Sequence, residues 1–291
     1  MFLPRKILEE KLRNMLAEDV GEGDVTTALT VPAGATGEAE VRCKESGVAA
    51  GLEEAKVLLE SLGLKVEALV QDGDEMKKGQ VMIKVSGDAR TLLSSERTLL
   101  NLLCRMSGIA TITRRLVKKI QRAKLKTRIA CTRKTAPGLL YFDKKAVLLG
   151  GGDPHRLHLD DMILIKDNHI TMSKSLRTVI LNARKNASFS KKIEVEVTRA
   201  DEALEAAEAG VDVIMLDNFS PKQIEKTVED LERAGLRGNV LLEASGGIKA
   251  ENLMDFASKK IDIVSLGEIT ESAKTLDINM KICRVLNKRL F

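Results

Sequence analysis

The sequence has few aromatic residues and few cysteines, and both scarcities narrow the possible functions. Its 291 residues include no Trp, one Tyr and six Phe, which argues against a surface that stacks single-stranded nucleic acid on aromatic rings. The net charge of +5 is too small to indicate a nucleic-acid-binding stripe. The four cysteines (Cys43, Cys104, Cys131 and Cys283) have no CxxC spacing, and this pattern predicts a reduced, cytoplasmic protein.

Long apolar runs are also missing. No run approaches the roughly 18 apolar residues that span a bilayer, and the N-terminal residues are charged throughout, so we expect neither a signal peptide nor a membrane partner. Hydrophobic residues make up 44% of the chain, which is ample for a sizeable core. The length suggests about two domains.

The texture of the sequence changes along the chain. Residues 3–17 have the apolar spacing of an amphipathic helix, and residues 36–86 have the pattern of short strands and tight turns. Residues 91–122 then have a long helical periodicity, and we place the domain boundary within them, near residue 105.

The second half alternates short apolar runs with helical patterns. Such alternation predicts parallel strands joined by helices. Six runs without a dinucleotide-binding fingerprint favour a β/α barrel, either closed or incomplete, with a doubly wound open sheet as the structural alternative. The six predicted strands lie within 126–132, 162–166, 193–197, 213–217, 240–247 and 261–267.

Basic residues and all three histidines collect near the first two of these strand ends. In a β/α barrel the working residues lie at the carboxyl ends of the strands, so the cluster is interpreted as an anion-binding pocket, with a solvated basic surface as the alternative. The spacing of His155 and His158 leaves zinc as a minor candidate. The cationic residues are Arg133, Lys134, Arg156 and Lys166.

Carboxylates follow on the next two strands. Glu194 and Glu196 are two residues apart in a strand and therefore face the same side. Buried strands of a parallel barrel are normally apolar, so inward-facing carboxylates would be hydrated, paired with cations or bound to a metal. Asp217 ends an apolar run, a position suited to a metal, a sugar hydroxyl or a cationic intermediate.

Glycines mark the last two strand ends. Ser245, Gly246 and Gly247 follow the fifth strand, and Ser265, Leu266 and Gly267 end the sixth. Glycines at these positions let backbone N–H groups approach a phosphate, and barrel phosphate sites typically follow the last strands. Either segment could also be an ordinary strand-to-helix turn. Many cations, few carboxylates and two glycine loops together predict a polyanionic, phosphorylated substrate.

The order and spacing of these motifs resemble the quinolinate phosphoribosyltransferase family, along nearly the whole chain. The matching segments are EDVGEGDVTT (18–27), SSERTLLNLLCRMSGIAT (94–111), TRKTAPG (132–138), GGGDPHRLHLDDMILIKDNHI (150–170), EVEV (194–197), MLDN (215–218), EASGGI (243–248) and SLG (265–267).

The resemblance implies an α/β protein with an incomplete β/α barrel and an N-terminal α/β sandwich. We expect the sandwich over residues 1–105, joined by the C-terminal segment 271–291, and the catalytic barrel over 106–270. The resemblance also implies a homodimer with shared active sites, in which the sandwich of one subunit covers the barrel of the other. Whether the dimers assemble further stays open.

The family reaction converts quinolinate and phosphoribosyl pyrophosphate to nicotinate mononucleotide, pyrophosphate and carbon dioxide, with Mg²⁺. It implies that Lys166, Glu196 and Asp217 are catalytic, with Glu196 and Asp217 also holding Mg²⁺ and the ribose. The alternative that Glu194 faces the ribose stays open, as do the roles of His158, Asn168 and His169. The implied substrate-binding residues are Arg97 (from the neighbouring subunit), Thr132, Arg133, Lys134, His155, Arg156 and Lys166, and the implied phosphate-binding residues are 245–247 and 265–267.

Three other functions are weighed against this one. A nicotinate phosphoribosyltransferase that does not decarboxylate, or a transport-associated relative, would share the fold. A Schiff-base aldolase would use Lys166, because that lysine ends an apolar strand. The segment 71–87 is similar to the hairpin of biotinyl or lipoyl carriers, but the tetrapeptide with the modified lysine is missing there, so the hairpin is interpreted as structural.

Overall fold

A computed structural model describes residues 3–173 and 175–287 of the chain. Its strands are β1 (Thr36–Cys43), β2 (Gly47–Val48), β3 (Lys65–Ala68), β4 (Glu75–Met76), β5 (Val81–Asp88), β6 (Arg128–Cys131), β7 (Ile163–Ile165), β8 (Ile193–Val197), β9 (Val213–Asp217), β10 (Leu241–Ser245), β11 (Ile263–Leu266) and β12 (Ile278–Asn287). Its α-helices are α1 (Arg5–Val20), α2 (Val25–Thr30), α3 (Leu52–Ser61), α4 (Ala89–Arg122), α5 (Leu140–Leu149), α6 (Asp167–Thr171), α7 (Leu176–Asn186), α8 (Ala200–Glu208), α9 (Pro221–Arg233), α10 (Leu253–Ala257) and α11 (Glu268–Glu271). None of the helices in this described part of the chain is both long and apolar enough to cross a membrane.

The described residues form two compact units. The first unit consists of the described parts of 1–114, 148–151 and 273–291, and the second of 115–147 and 152–272. The boundary between them on the N-terminal side falls inside α4. Residues 1, 2 and 288–291, which belong to the segments predicted for the first domain, lie outside the described residues.

The first unit is built on an antiparallel sheet with the strand order β12-β1-β5-β3. Burial alternates along β1, where Ala39, Val41 and Cys43 face the core. An apolar face of α4 supplies Leu92, Leu99 and Leu103 to the same core, at the spacing of an amphipathic helix. The segment 71–87, which is similar to a carrier hairpin, contains β4 and β5, but these two strands pair with other partners: β4 with β2, and β5 with β1 and β3. Its interpretation as a structural element stays a prediction.

The pattern of strands and turns predicted for 36–86 is wrong for α3. This helix buries Leu52, Ala55 and Leu59 against the sheet, a helical spacing that a ten-residue segment displays only weakly. Its first N–H groups are capped from a distant turn, because the Asp72 carboxylate accepts hydrogen bonds from the backbone N–H groups of Leu52 and Glu53. A cap 20 residues away leaves no local signal in the sequence.

The second unit contains a parallel six-stranded sheet with the order β6-β11-β10-β9-β8-β7. Each of the six predicted apolar runs contains one of these strands. Within the described residues, the two end strands β6 and β7 each pair with one sheet neighbour, so the barrel is not closed. The predicted α/β fold with an incomplete barrel and a separate small domain is confirmed.

Helices α8 and α9 alternate with the strands, as the sequence predicts. Helix α9 begins with Ser220, whose hydroxyl accepts a hydrogen bond from the Gln223 N–H while the Gln223 side chain accepts one from the Ser220 N–H. Pro221 occupies the first turn, where its missing N–H costs nothing. The connection from β6 to β7 is longer and carries α5, which the sequence pattern did not predict.

Candidate active site

The carboxyl ends of the parallel strands surround a cavity of about 850 Å³ in the second unit. This volume lies in the range of roughly 300–1,000 Å³ that is usual for small-molecule sites. Parallel strands bring their carboxyl ends to one edge, which is why residues far apart in sequence meet there. The predicted site residues that line the cavity are Thr132, Arg133, Lys134, His155, Arg156, Lys166, Glu196, Asp217, Ser245, Gly246, Gly247, Ser265 and Gly267.

Two neighbouring guanidinium groups give one wall of the cavity its positive charge. Arg133 follows β6, and Arg156 lies in the connection to β7. Partial burial, together with the charge of Arg133, lowers the pKa of Arg156. Like charges held together in this way repel each other until an anion binds between them. Lys134 adds a third cation, and its nearest carboxylate contact, Glu271, lies 3.8 Å away.

Lys166 and Glu196 form an ion pair at the rim of the cavity. Lys166 follows β7, and its Nζ donates a hydrogen bond to Glu196 Oε2 on the adjacent strand β8. The side chains are 43% and 14% exposed, respectively. A partly exposed ion pair contributes little to stability, so a ligand can separate its two groups at low cost.

Asp217 is a second carboxylate of the rim, and Asn218 fixes its orientation. The Asn218 side-chain amide donates to Asp217 Oδ2 at 2.8 Å, and its backbone N–H donates to the Ser245 carbonyl at 2.9 Å. Asn218 has a positive φ of 57°. Gly246 makes room for this arrangement, since a Cβ at that position would lie 2.7 Å from Asn218 Cγ.

His155 lies between two carboxylates that are completely buried. Its Nε2 is 3.0 Å from Glu243 Oε2 on β10 and 3.3 Å from Glu194 Oε2 on β8. Burial alone lowers the pKa of His155, but the adjacent carboxylates of Glu194 and Glu243 outweigh this effect and raise the pKa to about 10. Burial and the adjacent Glu243 raise the pKa of Glu194. The two carboxylates therefore favour the charged form of the imidazole.

The glycine loops lie at the ends of β10 and β11. Gly246 and Gly247 have φ values of 90° and 64°, which L side chains rarely adopt. Gly267 allows close approach, because a Cβ there would lie 3.2 Å from Glu271 Oε2. The buried Ser265 hydroxyl lines the cavity and makes no hydrogen bond within the described residues. It is thus available to a ligand.

Two predicted site residues do not line the cavity. Arg97 is exposed on α4 in the first unit, and its predicted role in a neighbouring subunit stays a prediction. The Leu266 side chain is completely buried, so any contribution of this residue to a phosphate site comes from its backbone.

The spacing of His155 and His158, which suggested zinc, does not bring these two histidines together in one metal site. The potential metal-binding group in the described residues consists of His155, Glu194 and Glu243, and His158 is exposed and outside it. His169 caps the short helix α6, because its Nδ1 accepts a hydrogen bond from the Lys166 N–H. That contact gives His169 a local role in shaping the loop after Lys166.

Sequence reasoning did not select several residues that line the cavity. The most informative is Glu243, a carboxylate inside the apolar run of β10, which is the same signal that drew attention to Glu194. Asn218, which orients Asp217, lies in a recognisable strand-end motif. The other unselected lining residues are Cys131, Leu164, Met215, Ile248, Lys249, Glu268, Glu271 and Ser272.

Comparison with known families matches almost the whole chain. The profile of the quinolinate phosphoribosyl transferase N-terminal domain matches residues 24–107, and that of the C-terminal domain matches residues 109–281. The two profiles match residues in both units of the structure.

Individual relatives agree with the family profiles. The chain is 44% identical to "Probable nicotinate-nucleotide pyrophosphorylase [carboxylating]" of Methanothermobacter thermautotrophicus, over 93% of this chain and 97% of that protein. It is 36% identical to nicotinate-nucleotide pyrophosphorylase [carboxylating] of Rattus norvegicus, over 97% and 93%. The solved nicotinate-nucleotide pyrophosphorylase of Francisella tularensis superposes with a TM-score of 0.88 at 34% identity, covering 97% of this chain and 98% of that one.

Proposed function

Because the chain belongs to the quinolinate phosphoribosyltransferase family, we propose that it catalyses the carboxylating reaction of that family. Quinolinate and phosphoribosyl pyrophosphate give nicotinate mononucleotide, pyrophosphate and carbon dioxide. The activity belongs to the de novo synthesis of pyridine nucleotides. The observation that carries the proposal is the composition of one cavity: a cationic wall, a carboxylate rim and two glycine loops.

The cationic wall suits a pyridine dicarboxylate. Arg133 and Arg156 each offer a planar fork that can bind a carboxylate through two hydrogen bonds, and the His155 imidazole adds a further positive charge beside them and Lys134. A substrate with two carboxylates would relieve the mutual repulsion of these cations. A substrate with one carboxylate would leave part of that repulsion in place.

The rim suits the ribosyl centre. In the first step the ring nitrogen of quinolinate forms a bond to the ribosyl C1 carbon, and the bond from C1 to pyrophosphate breaks. Positive charge develops on the ribose as the leaving group departs. Glu196 and Asp217, which line the same cavity, stabilise that charge and bind the ribose hydroxyls. Lys166 neutralises oxygens of the departing pyrophosphate and contacts both substrates.

The second step is the loss of the 2-carboxylate. After the first step the pyridine nitrogen carries a positive charge, so the electron pair left at C2 when carbon dioxide departs lies next to a cation. The surrounding cations are fixed in place before the reaction, and this preorganisation lowers the energy of the carbanion until it takes up a proton. The proposed mechanism is therefore electrostatic and involves no covalent intermediate with the protein.

The donor set at the rim fits Mg²⁺. Glu196 and Asp217 present carboxylate oxygens, the ligands that this hard cation prefers, and both side chains reach the cavity. The group at His155 includes an imidazole and fits Mg²⁺ less well. Bound with the pyrophosphate, Mg²⁺ would supply charge neutralisation of the leaving group.

We include the homodimer in the proposal, with Arg97 reaching the active site of the neighbouring subunit. Its support is the exposed position of this arginine on α4, and the matched N-terminal family domain. Sedimentation at several protein concentrations tests the dimer. Mixing inactive Arg97→Ala and Lys166→Ala proteins tests the shared site, because hybrid dimers would regain one intact site. The cytoplasmic location stays a prediction that cell fractionation would test.

The reaction is tested with purified protein, phosphoribosyl pyrophosphate and MgCl₂, with quinolinate in one tube and nicotinate in another. We expect nicotinate mononucleotide and carbon dioxide in equal amounts from quinolinate, and no product from nicotinate. Product from nicotinate alone would show that the substrate is nicotinate rather than quinolinate, and would leave the conclusion about the fold unchanged. The absence of product in both tubes would contradict the proposed function. Tubes without MgCl₂ but with EDTA test the metal requirement.

A further inference from the structure

We propose that Glu194 and Glu243 are positioning residues, which hold the imidazole of His155 in the cavity wall in the place and charge state that an anionic substrate group requires. We call these three residues the histidine clamp. The inference rests on the proposed function, because it takes His155 as a contact of the pyridine dicarboxylate. It goes further by assigning a purpose to two buried carboxylates that the reaction itself does not use.

Contacts of the backbone around His155 hold this residue in place independently of its side chain. The residue has a φ of 53°, in the left-handed region that few side chains adopt, and its N–H donates to Asp153 Oδ1 at 2.8 Å. The completely buried Lys144 donates a hydrogen bond to the carbonyl of the preceding Pro154. Such a strained conformation persists only where the surroundings enforce it, and here they aim one particular side chain into the sheet.

The ring is then held from two strands. Glu194 lies on β8 at the level of Val213, and Glu243 lies on β10 at the level of Met215, with β9 between them. The two carboxylates meet the same ring nitrogen, Nε2, at 3.3 and 3.0 Å. Two contacts from separate strands restrict both the position and the tilt of the imidazole.

The cost of this arrangement argues for a purpose. Both carboxylates are completely buried, and neither Glu194 oxygen nor Glu243 Oε1 has a hydrogen-bond partner within the described residues. Burying ionised groups is costly unless they are well paired, and apolar residues of similar size would stabilise the core better. The cationic imidazole is the feature that apolar residues could not provide.

The charge balance supports the same conclusion. The charged groups around the ring are Glu194 on β8, Glu243 on β10 and Arg156, the next residue in the chain. The two carboxylates raise the pKa of His155 to about 10 in spite of its burial. A ring with an ordinary pKa would be largely neutral at physiological pH and would attract a carboxylate less strongly.

Histidine-selective ¹³C and ¹⁵N labelling tests the clamp without any assay of activity. The chain has three histidines, so the resonance that is lost in His155→Asn identifies His155. Asn is chosen because it tolerates the left-handed backbone. We expect the wild-type His155 signal to stay at the imidazolium position from pH 6 to pH 8.5. In Glu243→Gln and in Glu194→Gln we expect it to titrate within that range.

Kinetics then test whether the clamp acts through His155. Glu243→Gln should raise KM for quinolinate on the order of tenfold, the effect of weakening one charge-assisted contact, with a smaller change in KM for phosphoribosyl pyrophosphate. In the His155→Asn background the same substitution should add less than about twofold, because the group it positions is already absent. Glu54→Gln, which changes a buried carboxylate of the first unit, is the matched control and should alter neither the His155 signal nor either KM.

The outcomes separate this inference from the proposed function. If the wild type makes no product from quinolinate but its His155 signal behaves as expected, the function is wrong and the clamp stands. If the wild type is active but its His155 signal titrates between pH 6 and pH 8.5, the clamp is wrong. Additive effects of Glu243→Gln and His155→Asn on KM would also contradict it. One divalent ion retained per chain, and lost in His155→Asn, would replace the clamp with a metal site.

Discussion

Strand β8 carries two carboxylates that face the same side and have opposite environments. Glu196 is 14% exposed and pairs with Lys166, whose side chain is 43% exposed. Glu194, two residues earlier, is completely buried and faces His155 and Glu243. Both carboxylates contact a cation, and they share a strand and a face. Burial is the difference between them, because Glu196 lines the cavity whereas Glu194 is buried outside its lining.

Burial decides what each carboxylate can do. At the rim, water screens the ion pair, so a substrate can displace one partner at little cost. In the wall, a carboxylate that lost its cation would remain as an uncompensated buried charge, so the pair is kept intact. The rim group is therefore available for chemistry, whereas the buried group fixes a neighbouring side chain.

The strongest test of the rim is Lys166→Ala. If Lys166 neutralises the departing pyrophosphate, its loss should lower kcat by at least about 100-fold, while the free energy of unfolding changes little because the ion pair is partly exposed. Steady-state rates with quinolinate and a urea unfolding curve measure the two effects. Lys226→Ala on the exposed face of α9 is the control and should retain normal turnover. Near-normal turnover in Lys166→Ala would remove the lysine from the mechanism.

The contact of His155 with the buried Glu194 and Glu243 predicts that the stability of the fold depends on pH. The pKa of His155 rises from 6.5 in the unfolded chain to about 10 in the folded protein, so the folded protein binds more protons between these values. The stabilisation due to His155 is complete below pH 6.5 and declines as the pH rises toward 10. The difference in free energy of unfolding between the wild type and His155→Asn should therefore shrink over this range.

Urea unfolding at pH 6, 7, 8 and 9 measures that difference. His158→Asn, which removes an exposed imidazole, is the matched control, and the change with pH should be larger for His155→Asn than for this variant. A difference for His155→Asn that stays constant with pH would show that the carboxylates do not stabilise the charged ring.

The fold was largely predictable because its signals are local. Each parallel strand is a short apolar run, and α4 and α9 show helical periodicity over many residues. Helix α3 was missed because its cap comes from Asp72, and α5 was missed because its buried positions include Asp143, Lys144 and Lys145. The burial of charged side chains on a helix depends on tertiary partners, which the sequence pattern does not show.

The candidate site was predictable to the extent that strand ends converge. Parallel strands bring their carboxyl ends together, so residues such as Lys166 and Asp217 could be assigned to one pocket from their positions alone. The contact of Glu243 with His155 could not be predicted, because it depends on the left-handed backbone at His155 and on the order of the strands in the sheet. Register between strands is set by packing of the whole unit, which no single motif encodes.

Three Gly→Ala substitutions should have smaller effects, and together they separate backbone strain from steric crowding at the rim. Gly246→Ala places a side chain at a φ of 90° and against Asn218, so we expect it to destabilise the fold by about 2–3 kcal/mol and to disturb Asp217. Gly235→Ala has the backbone strain of a φ of 72°, but no atom lies close to the added Cβ, so we expect a loss of stability of about 1 kcal/mol. Gly238→Ala has neither, and should stay within about 0.5 kcal/mol. Urea unfolding measures the free energy of unfolding of the three variants. Equal losses of stability in Gly246→Ala and Gly235→Ala would show that contact with Asn218 is unimportant.

The two carboxylates of β8 can finally be compared directly by the same substitution. Glu196→Gln should raise KM for phosphoribosyl pyrophosphate about tenfold, because the rim loses a charge that faces the ribosyl centre. Glu194→Gln should leave that KM near normal and raise KM for quinolinate instead, since Glu194 reaches the substrate only through His155. Matched saturation curves for both substrates measure the two effects. If Glu194→Gln had the larger effect on phosphoribosyl pyrophosphate, the ribose would face the inner carboxylate, and burial would not separate their roles.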